Sequence, residues 1–280
     1  MGVLDGKVAF ITGAARGQGR AHAIRLAEEG ADVIALDIGT DALETVGYPL
    51  GTSAELDETV EAVEALGRRA VGGLADVRDL EQVQSVVDAG LEELGRIDIV
   101  CANAGIGTWA VSWQMTQRQW QDMIDVNLTG VFNTARAALP SMVERGEGGA
   151  VVLTSSTAGL IGYAHTAHYT AAKHGVIGFM KVLAQEVAPY RIRVNAVCPT
   201  TVNTPMVIND GTFNLFRPDL ENPTSDDVRE PFAALNALPE LPWIEPRDVS
   251  EAVLWLCSDA ARYVTGVAMP IDAGNLIKKG

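Results

Sequence analysis

Cysteine is scarce in this chain: there are three in 280 residues, Cys101, Cys198 and Cys257, far apart in sequence and without a C-x-x-C pair. That pattern signals neither a disulfide framework nor a zinc site, so reduced, packed thiols and no metal are expected. Basic residues are also few. Lys and Arg total 21 against 36 Asp and Glu, a formal charge of −15, and such a field repels phosphate backbones and anionic membrane surfaces. Nucleic acid and membrane are therefore not expected partners. No apolar run approaches the roughly 18 residues that a membrane span requires. Residues 1–13 lack the basic start, long apolar core and cleavage site of a signal peptide, which makes the cytoplasm the expected location. Low-complexity tracts, tandem repeats and Gly/Ser-rich linkers are missing too. With 48% hydrophobic residues, residues 1–280 read as one domain with a sizeable core.

What the chain does have is a rhythm. Short, continuously apolar runs (Val8–Ile11, Val33–Leu36, Ile97–Cys101, Ala150–Leu153 and Ile192–Val197) alternate with segments of helical period at Gly19–Gly30, Leu80–Leu94, Trp120–Met142, Tyr169–Ala188 and Pro246–Leu256. Runs of the first kind suit strands buried on both faces. Their alternation with helices predicts an α/β fold, a doubly wound parallel sheet of Rossmann type with helices on both faces and right-handed crossovers. Two stretches break the rhythm. Residues 38–56 form a polar excursion containing Gly39, Gly47, Tyr48-Pro49 and Gly51, and residues 200–246 carry seven prolines among Phe213, Phe216, Phe232 and Trp243. Long loops in a compact domain are usually lids or binding loops, so 200–246 is read as the substrate-loop region.

The first strand runs directly into Thr12-Gly13-Ala14-Ala15-Arg16-Gly17-Gln18-Gly19, which opens a helix. Gly13, Gly17 and Gly19 let the backbone turn sharply and approach a pyrophosphate, which the helix N-terminus stabilises through free N–H groups and its dipole. A strand-to-helix turn without a ligand is the plain alternative. Asp37 closes the second strand, where a carboxylate accepts hydrogen bonds from an adenosine ribose and repels a 2′-phosphate, so NAD is expected over NADP. Arg16 argues weakly the other way, but Asp37 sits at the ribose itself. Asp76-Val77 and Asn103-Ala104-Gly105 fall at the carboxyl ends of the third and fourth strands, where a doubly wound sheet binds its ligand. Asp76 has a second reading, as a cap for the helix that starts near Asp79.

Ser156 follows the fifth strand, Tyr169 lies thirteen residues later, and Lys173 four beyond that, placing phenol and ammonium on one helix face. Oxidising an alcohol requires removal of its hydroxyl proton as hydride leaves carbon, and a tyrosine of ordinary pKa, about 10, is a poor base at neutral pH. A nearby cation favours phenolate. Together with Asn127 and the Thr12–Gly19 loop, these residues resemble the short-chain dehydrogenase/reductase family along nearly the whole chain. The resemblance implies that Asn127, Ser156, Tyr169 and Lys173 are catalytic. Lys173 would lower the Tyr169 pKa and bind the nicotinamide ribose, Ser156 would hold the substrate oxygen, and Asn127 would support a water relay. It further implies that NAD is contacted by Gly13, Arg16, Gly17, Gln18, Gly19, Asp37, Ile38, Asp76, Val77, Asn103, Ala104, Gly105, Tyr169, Lys173, Pro199, Val202 and Thr204. A homotetramer is the family's usual assembly.

The departures from the family pattern are informative. Pro199 is followed by Thr200-Thr201-Val202-Asn203-Thr204-Pro205-Met206 instead of the usual glycine, and the 38–56 insertion carries Tyr48-Pro49-Leu50. Both resemble the mycofactocin-associated subfamily, which includes carveol-dehydrogenase-like enzymes. An extra loop leaving the strand that bears Asp37 is tethered beside the adenosine half of the cofactor, where Tyr48 and Leu50 cover it. Tightly held NAD, reoxidised in place by an external carrier such as mycofactocin, is the expectation, with freely exchangeable NAD as the alternative. Candidate pocket residues Ile106, Trp109, Leu160, Ile161, Tyr163, Met206, Val207, Phe213, Phe216 and Trp243 include no Arg or Lys cluster to clamp an anion. A hydrophobic alcohol or ketone fits such a lining, and the resemblance to carveol-dehydrogenase-like enzymes implies a cyclic terpenoid or similar secondary alcohol. A hydrolase pairing of Ser156 with His165 or His168 lacks the G-x-S-x-G elbow, and a non-catalytic nucleotide sensor has no need of all four catalytic types.

Overall fold

Along a strand, successive side chains point to opposite faces, so apolar runs of this kind need helices on both sides of the sheet. The computed structural model describes residues 2–40 and 43–278; residues 41 and 42, inside the expected insertion, lie outside the described residues. The strands are β1 (Val8–Thr12), β2 (Asp32–Asp37), β3 (Ala70–Leu74), β4 (Ile99–Ala102), β5 (Gly149–Thr154), β6 (Ile192–Pro199) and β7 (Ala268–Ile271). They form one sheet in the order β3-β2-β1-β4-β5-β6-β7, with every neighbouring pair parallel. The winding reverses between β1 and β4, and the carboxyl ends of those strands open the crevice in which such sheets bind ligands.

The helices are α1 (Gly17–Glu28), α2 (Ser53–Glu64), α3 (Leu80–Leu94), α4 (Gln117–Ile124), α5 (Gly130–Arg145), α6 (Ala167–Val187), α7 (Asp210–Phe216), α8 (Arg229–Ala233) and α9 (Pro246–Cys257). Phe10, Ile34, Leu36, Val100, Val151 and Leu153 face α3, α5 and α6. The alternate residues Ile11, Val33, Ala35, Cys101 and Val152 face α1, α2 and α9. Phe10 is fully buried, and its truncation to alanine would cost about 3–5 kcal/mol. All three cysteines are free and buried. No helix among the described residues is long and apolar enough to cross a membrane.

Several boundaries differ from the sequence expectation. The polar excursion ends earlier than residue 56, because Thr52 and Glu55 form a reciprocal capping box that starts α2 at Ser53. Asp79, accepting the N–H groups of Glu81 and Gln82, caps α3, which removes the capping role considered for Asp76. The expected single helix over Trp120–Met142 is broken into α4 and α5 by a π turn at Asp125–Thr129. Periodicity misses it because a π turn holds one residue more than the α-helical hydrogen bonding on either side. Within 200–246, α7 and α8 build a small core of their own from Phe213, Val228 and Phe232, with Phe216 and Trp243 packed against it.

Candidate active site

The glycine-rich turn lies between β1 and α1. Gly13 and Gly17 have φ of +69° and +57°, and a Cβ on Gly13 would come within 2.9 Å of the Ala104 Cα. Side chains are thus excluded where the chain leaves β1 beside the end of β4. Thr12 Oγ1 accepts the N–H groups of Asn103 and Ala104, and Asn103 Nδ2 donates to the Thr12 carbonyl at 3.1 Å. Gly19 lies behind the turn, where a Cβ would collide with the Gly13 carbonyl. Arg16, at the N-cap of α1, supplies no side-chain cap, so the first helical N–H groups are left for an anion. The Gln18 Oε1 is buried without a partner among the described residues.

At the end of β2, the Asp37 carboxylate accepts the Ala15 and Ile38 N–H groups, both at 2.8 Å. Burial pushes its pKa up while those two bonds work against the rise. Ile38, Asp76, Val77 and Asn103–Gly105 line the same cleft. Two arginines line it as well, and both are engaged. Arg16 donates to the Pro49 carbonyl and lies 4.0 Å from Glu55. Arg78 grips Asp76 with two nitrogens, overcoming burial to hold that carboxyl below its ordinary pKa. The insertion closes one side of the cleft: Tyr48 and Leu50 are buried, Tyr48 Oη accepts the Gly107 N–H at 2.9 Å, and Thr45 donates to Asp122 at 2.8 Å. Burial raises the Tyr48 phenol to about 12.

A second cleft opens beyond the ends of β5 and β6. Ser156, Tyr169 and Lys173 line it together, as do Pro199, Val202 and Thr204. Gln18, Asn103, Gly105, Thr204 and Met206 border both clefts, which are therefore continuous. Tyr169 and Lys173 lie one turn apart on α6, with Lys173 Nζ 5.6 Å from the phenol ring centroid and hydrogen-bonded to the Thr154 carbonyl at 2.8 Å. Ser155 spends its hydroxyl on the Lys173 carbonyl, at 2.9 Å. Burial pushes the Tyr169 phenol up, against the opposing effect of the neighbouring Ser156 hydroxyl. Burial pushes the Lys173 ammonium down to about 8. The cation expected to favour phenolate is itself weakened by its surroundings.

Asn127 borders neither cleft. Fully buried in the π turn, its amide both accepts the Ile106 N–H and donates to the Ile106 carbonyl, each at 2.8 Å. It lies across Gly105 from Lys173: a Cβ on Gly105 would sit 3.2 Å from Asn127 Oδ1 and 3.7 Å from Lys173 Nζ.

Of the apolar candidates, Trp109, Tyr163, Met206, Val207 and Phe216 line the second cleft, and Ile106 belongs to the first. Leu160 and Ile161 face outward, while Phe213 and Trp243 belong to the small α7–α8 core. Neither His165 nor His168 lines the cleft that holds Ser156. Sequence reasoning missed Thr212, which accepts the Trp109 indole N–H at 3.0 Å, and Asn275 near the C-terminus, which accepts from the Tyr163 hydroxyl. Neither residue belongs to a motif, and only the folded chain brings them to this cleft.

Residues 7–214 match the family model described as short chain dehydrogenase. The chain is 55% identical to the (−)-trans-carveol dehydrogenase of Rhodococcus erythropolis, over 99% of this chain and all of that one. The crystal structure of carveol dehydrogenase from Mycobacterium avium in complex with NAD superposes with a TM-score of 0.97 at 54% identity, covering 99% of this chain and 100% of the other. A short chain dehydrogenase from Mycobacterium paratuberculosis bound to NAD gives a TM-score of 0.90 at 41% identity, with the same coverage. With the paired clefts and the Ser156, Tyr169 and Lys173 arrangement in place, these likenesses establish that the chain belongs to the short-chain dehydrogenase/reductase family.

Proposed function

We propose that this protein is an NAD-dependent oxidoreductase that interconverts a hydrophobic secondary alcohol and its ketone, with cyclic terpenoid alcohols of the carveol type the first class to test. One observation carries the reading: Ser156, Tyr169 and Lys173 meet in a largely apolar cleft that is continuous with a cleft bordered by Asp37 and the N-terminus of α1. The residues present fit NAD. The glycines leave a cradle that a Cβ would fill, Gln18 Oε1 lacks a partner, and the arginines that could meet a 2′-phosphate are already paired. The N-terminus of α1 and Gly13–Gly19 would hold the pyrophosphate, Asp37 the adenosine ribose, Asp76 and Val77 the adenine side, and Pro199, Val202 and Thr204 the carboxamide. NAD, when bound, supplies the hydride acceptor or donor.

The chain's own part is proton transfer and positioning. In oxidation the Tyr169 oxygen takes the alcohol proton, and in reduction it returns it. Ser156 holds the substrate oxygen by a hydrogen bond and orients it toward Tyr169. Lys173 brings a positive charge to the phenol edge, favouring the form that accepts a proton. Asn127 fixes Ile106 and hence the floor between the clefts.

The same proposal includes NAD that stays bound through turnover and is reoxidised in place by an external carrier, with mycofactocin the candidate. Supporting it, the insertion lays Tyr48 and Leu50 along the cleft and is fastened at Gly107, Asp122 and Arg16; a cover of this kind acts chiefly on the off-rate. A homotetramer completes the proposal, supported by the exposed Phe132 and its neighbour Phe179 on α5 and α6.

The test is nucleotide content after exhaustive desalting, followed by alcohol oxidation with added NAD and, separately, with an artificial electron acceptor. Retained stoichiometric NAD and turnover only with the acceptor support the full proposal. Empty protein that turns over with free NAD leaves an ordinary dehydrogenase, and no oxidation of any secondary alcohol under either condition overturns it.

A further inference from the structure

The five residues 106–110 are held by four separate parts of the chain. Ile106 is bound at both its N–H and its carbonyl by Asn127 of the π turn. Gly107 N–H donates to Tyr48 Oη of the insertion, at 2.9 Å. Thr108 Oγ1 bonds His168 Nε2 of α6, Trp109 Nε1 donates to Thr212 Oγ1 of α7, and the Ala110 N–H donates to the His165 carbonyl. The segment also joins the two clefts, since Ile106 lines the first and Trp109 the second. Trp109 stands edge-on to the Tyr169 ring at 6.1 Å. Gly107 is closely packed: a Cβ there would come within 3.1 Å of Met206, which borders both clefts, and 3.7 Å of the Trp109 ring.

We infer that Tyr48 is a positioning residue for substrate as well as a cover for the cofactor: through Gly107 its hydroxyl fixes the seating of Trp109 and Met206 against Tyr169. The inference rests on the oxidoreductase reading for its kinetic arm alone. Tyr48 is buried and its phenol accepts a bond from a backbone N–H that has no other partner among the described residues. Removing that acceptor leaves the Gly107 N–H unsatisfied and frees the segment between its anchors at Ile106 and Thr108. The wall of the substrate cleft then loses its set position while the phenyl ring still fills its place beside the cofactor cleft. The insertion would in this way act on substrate recognition from the opposite side of the molecule's crevice.

Tyr48→Phe tests this, with Thr45→Val as a control that cuts the insertion's tie to Asp122 and leaves the Tyr48 hydroxyl in place. The first readout is hydrogen exchange by mass spectrometry over a peptide spanning residues 104–110. Exchange of the protected amide is expected to quicken roughly tenfold in Tyr48→Phe, matching the loss of one buried hydrogen bond, and to stay at the wild-type rate in Thr45→Val. The second is steady-state oxidation of a hydrophobic secondary alcohol, with bound NAD measured in each sample. KM is expected to rise several-fold in Tyr48→Phe with kcat changed less and NAD content equal to wild type. Unchanged exchange with unchanged KM overturns the inference. So does lower NAD content with KM unaltered at saturating NAD, which would confine Tyr48 to the cofactor, or an equal response in Thr45→Val, which would mean general loosening of the insertion. Wild-type protein inactive on every alcohol would defeat the functional reading and leave the exchange result to decide the role of Tyr48.

Discussion

Lys173 Nζ is hydrogen-bonded to the carbonyl oxygen of Thr154 at 2.8 Å, so the ammonium is anchored to the end of β5 while its charge lies beside the Tyr169 ring. Burial holds this group at about 8 in the folded protein, against 10.5 for an ordinary lysine. Between those values the unfolded chain binds a proton that the native state does not, and stability therefore rises with pH from about 8 to 10.5. The full shift corresponds to about 3 kcal/mol as an upper bound. Denaturant midpoints of wild type and Lys173→Met at pH 7.5 and pH 10 check this. Wild type should gain on the variant as pH rises, and parallel behaviour would remove Lys173 as the source.

Tyr169→Phe keeps the ring that meets Trp109 and removes the proton carrier. General acid–base catalysis contributes about 10²–10⁴ in rate, and a loss of kcat in that range is expected with NAD content unchanged. Rates and bound nucleotide measured on one preparation separate the two effects. A variant that retained more than a tenth of wild-type kcat would displace Tyr169 from the proton-transfer role.

Asp37→Ser removes the carboxylate that ties the glycine-rich turn to β2 and faces the expected ribose site. Hydrogen bonds to a charged group contribute about 1.5–3 kcal/mol, which corresponds to roughly 10- to 150-fold weaker NAD binding. NADP should lose less, because the repulsion of its 2′-phosphate disappears. Competitive titration of the two nucleotides gives the ratio, and an unchanged preference would show that other groups select between them.

His22 is buried between α1 and α9, with Nδ1 bonded to Ser250 Oγ at 2.8 Å and Nε2 without a partner among the described residues. Burial lowers its pKa to about 3, from 6.5. The native state therefore keeps the ring neutral where the unfolded chain protonates it, and stability falls as pH drops from 6.5 toward 3. Urea unfolding at pH 7 and pH 5 should show a larger loss for wild type than for His22→Gln. Equal losses would mean that the acid sensitivity resides elsewhere.

The parts of this site that belong to single short segments were legible in the sequence. The Thr12–Gly19 turn, Asp37, Asn103–Gly105 and the Tyr169–Lys173 pair are local, and each needs only its own strand end or helix face to point correctly. The polar run after Asp37 marked the insertion, and its tethers at Gly107 and Asp122 appeared only with the fold. The Trp109–Thr212 and Tyr163–Asn275 pairs span about a hundred residues each, and no periodicity relates their members. Leu160 and Ile161 were misplaced for a related reason. Hydrophobicity marks a residue as able to line a pocket, but the turn that follows Ser156 directs these two toward solvent.

A π turn is a surplus of one residue, and its loss would be felt at a distance. Deleting any residue from 125–129 would let α4 and α5 join as a regular helix, turning everything on the α4 side by about 100°. Asp122, which receives Arg78 and Thr45 from outside the helix, would swing away from both, carrying its α4 neighbour Arg118 with it. Where the lost residue is 127, 128 or 129, Asn127 would leave Ile106 in the same movement. A substitution in this turn disturbs one side chain, whereas a single lost codon would loosen one tie of the insertion and the hold on the segment between the clefts together.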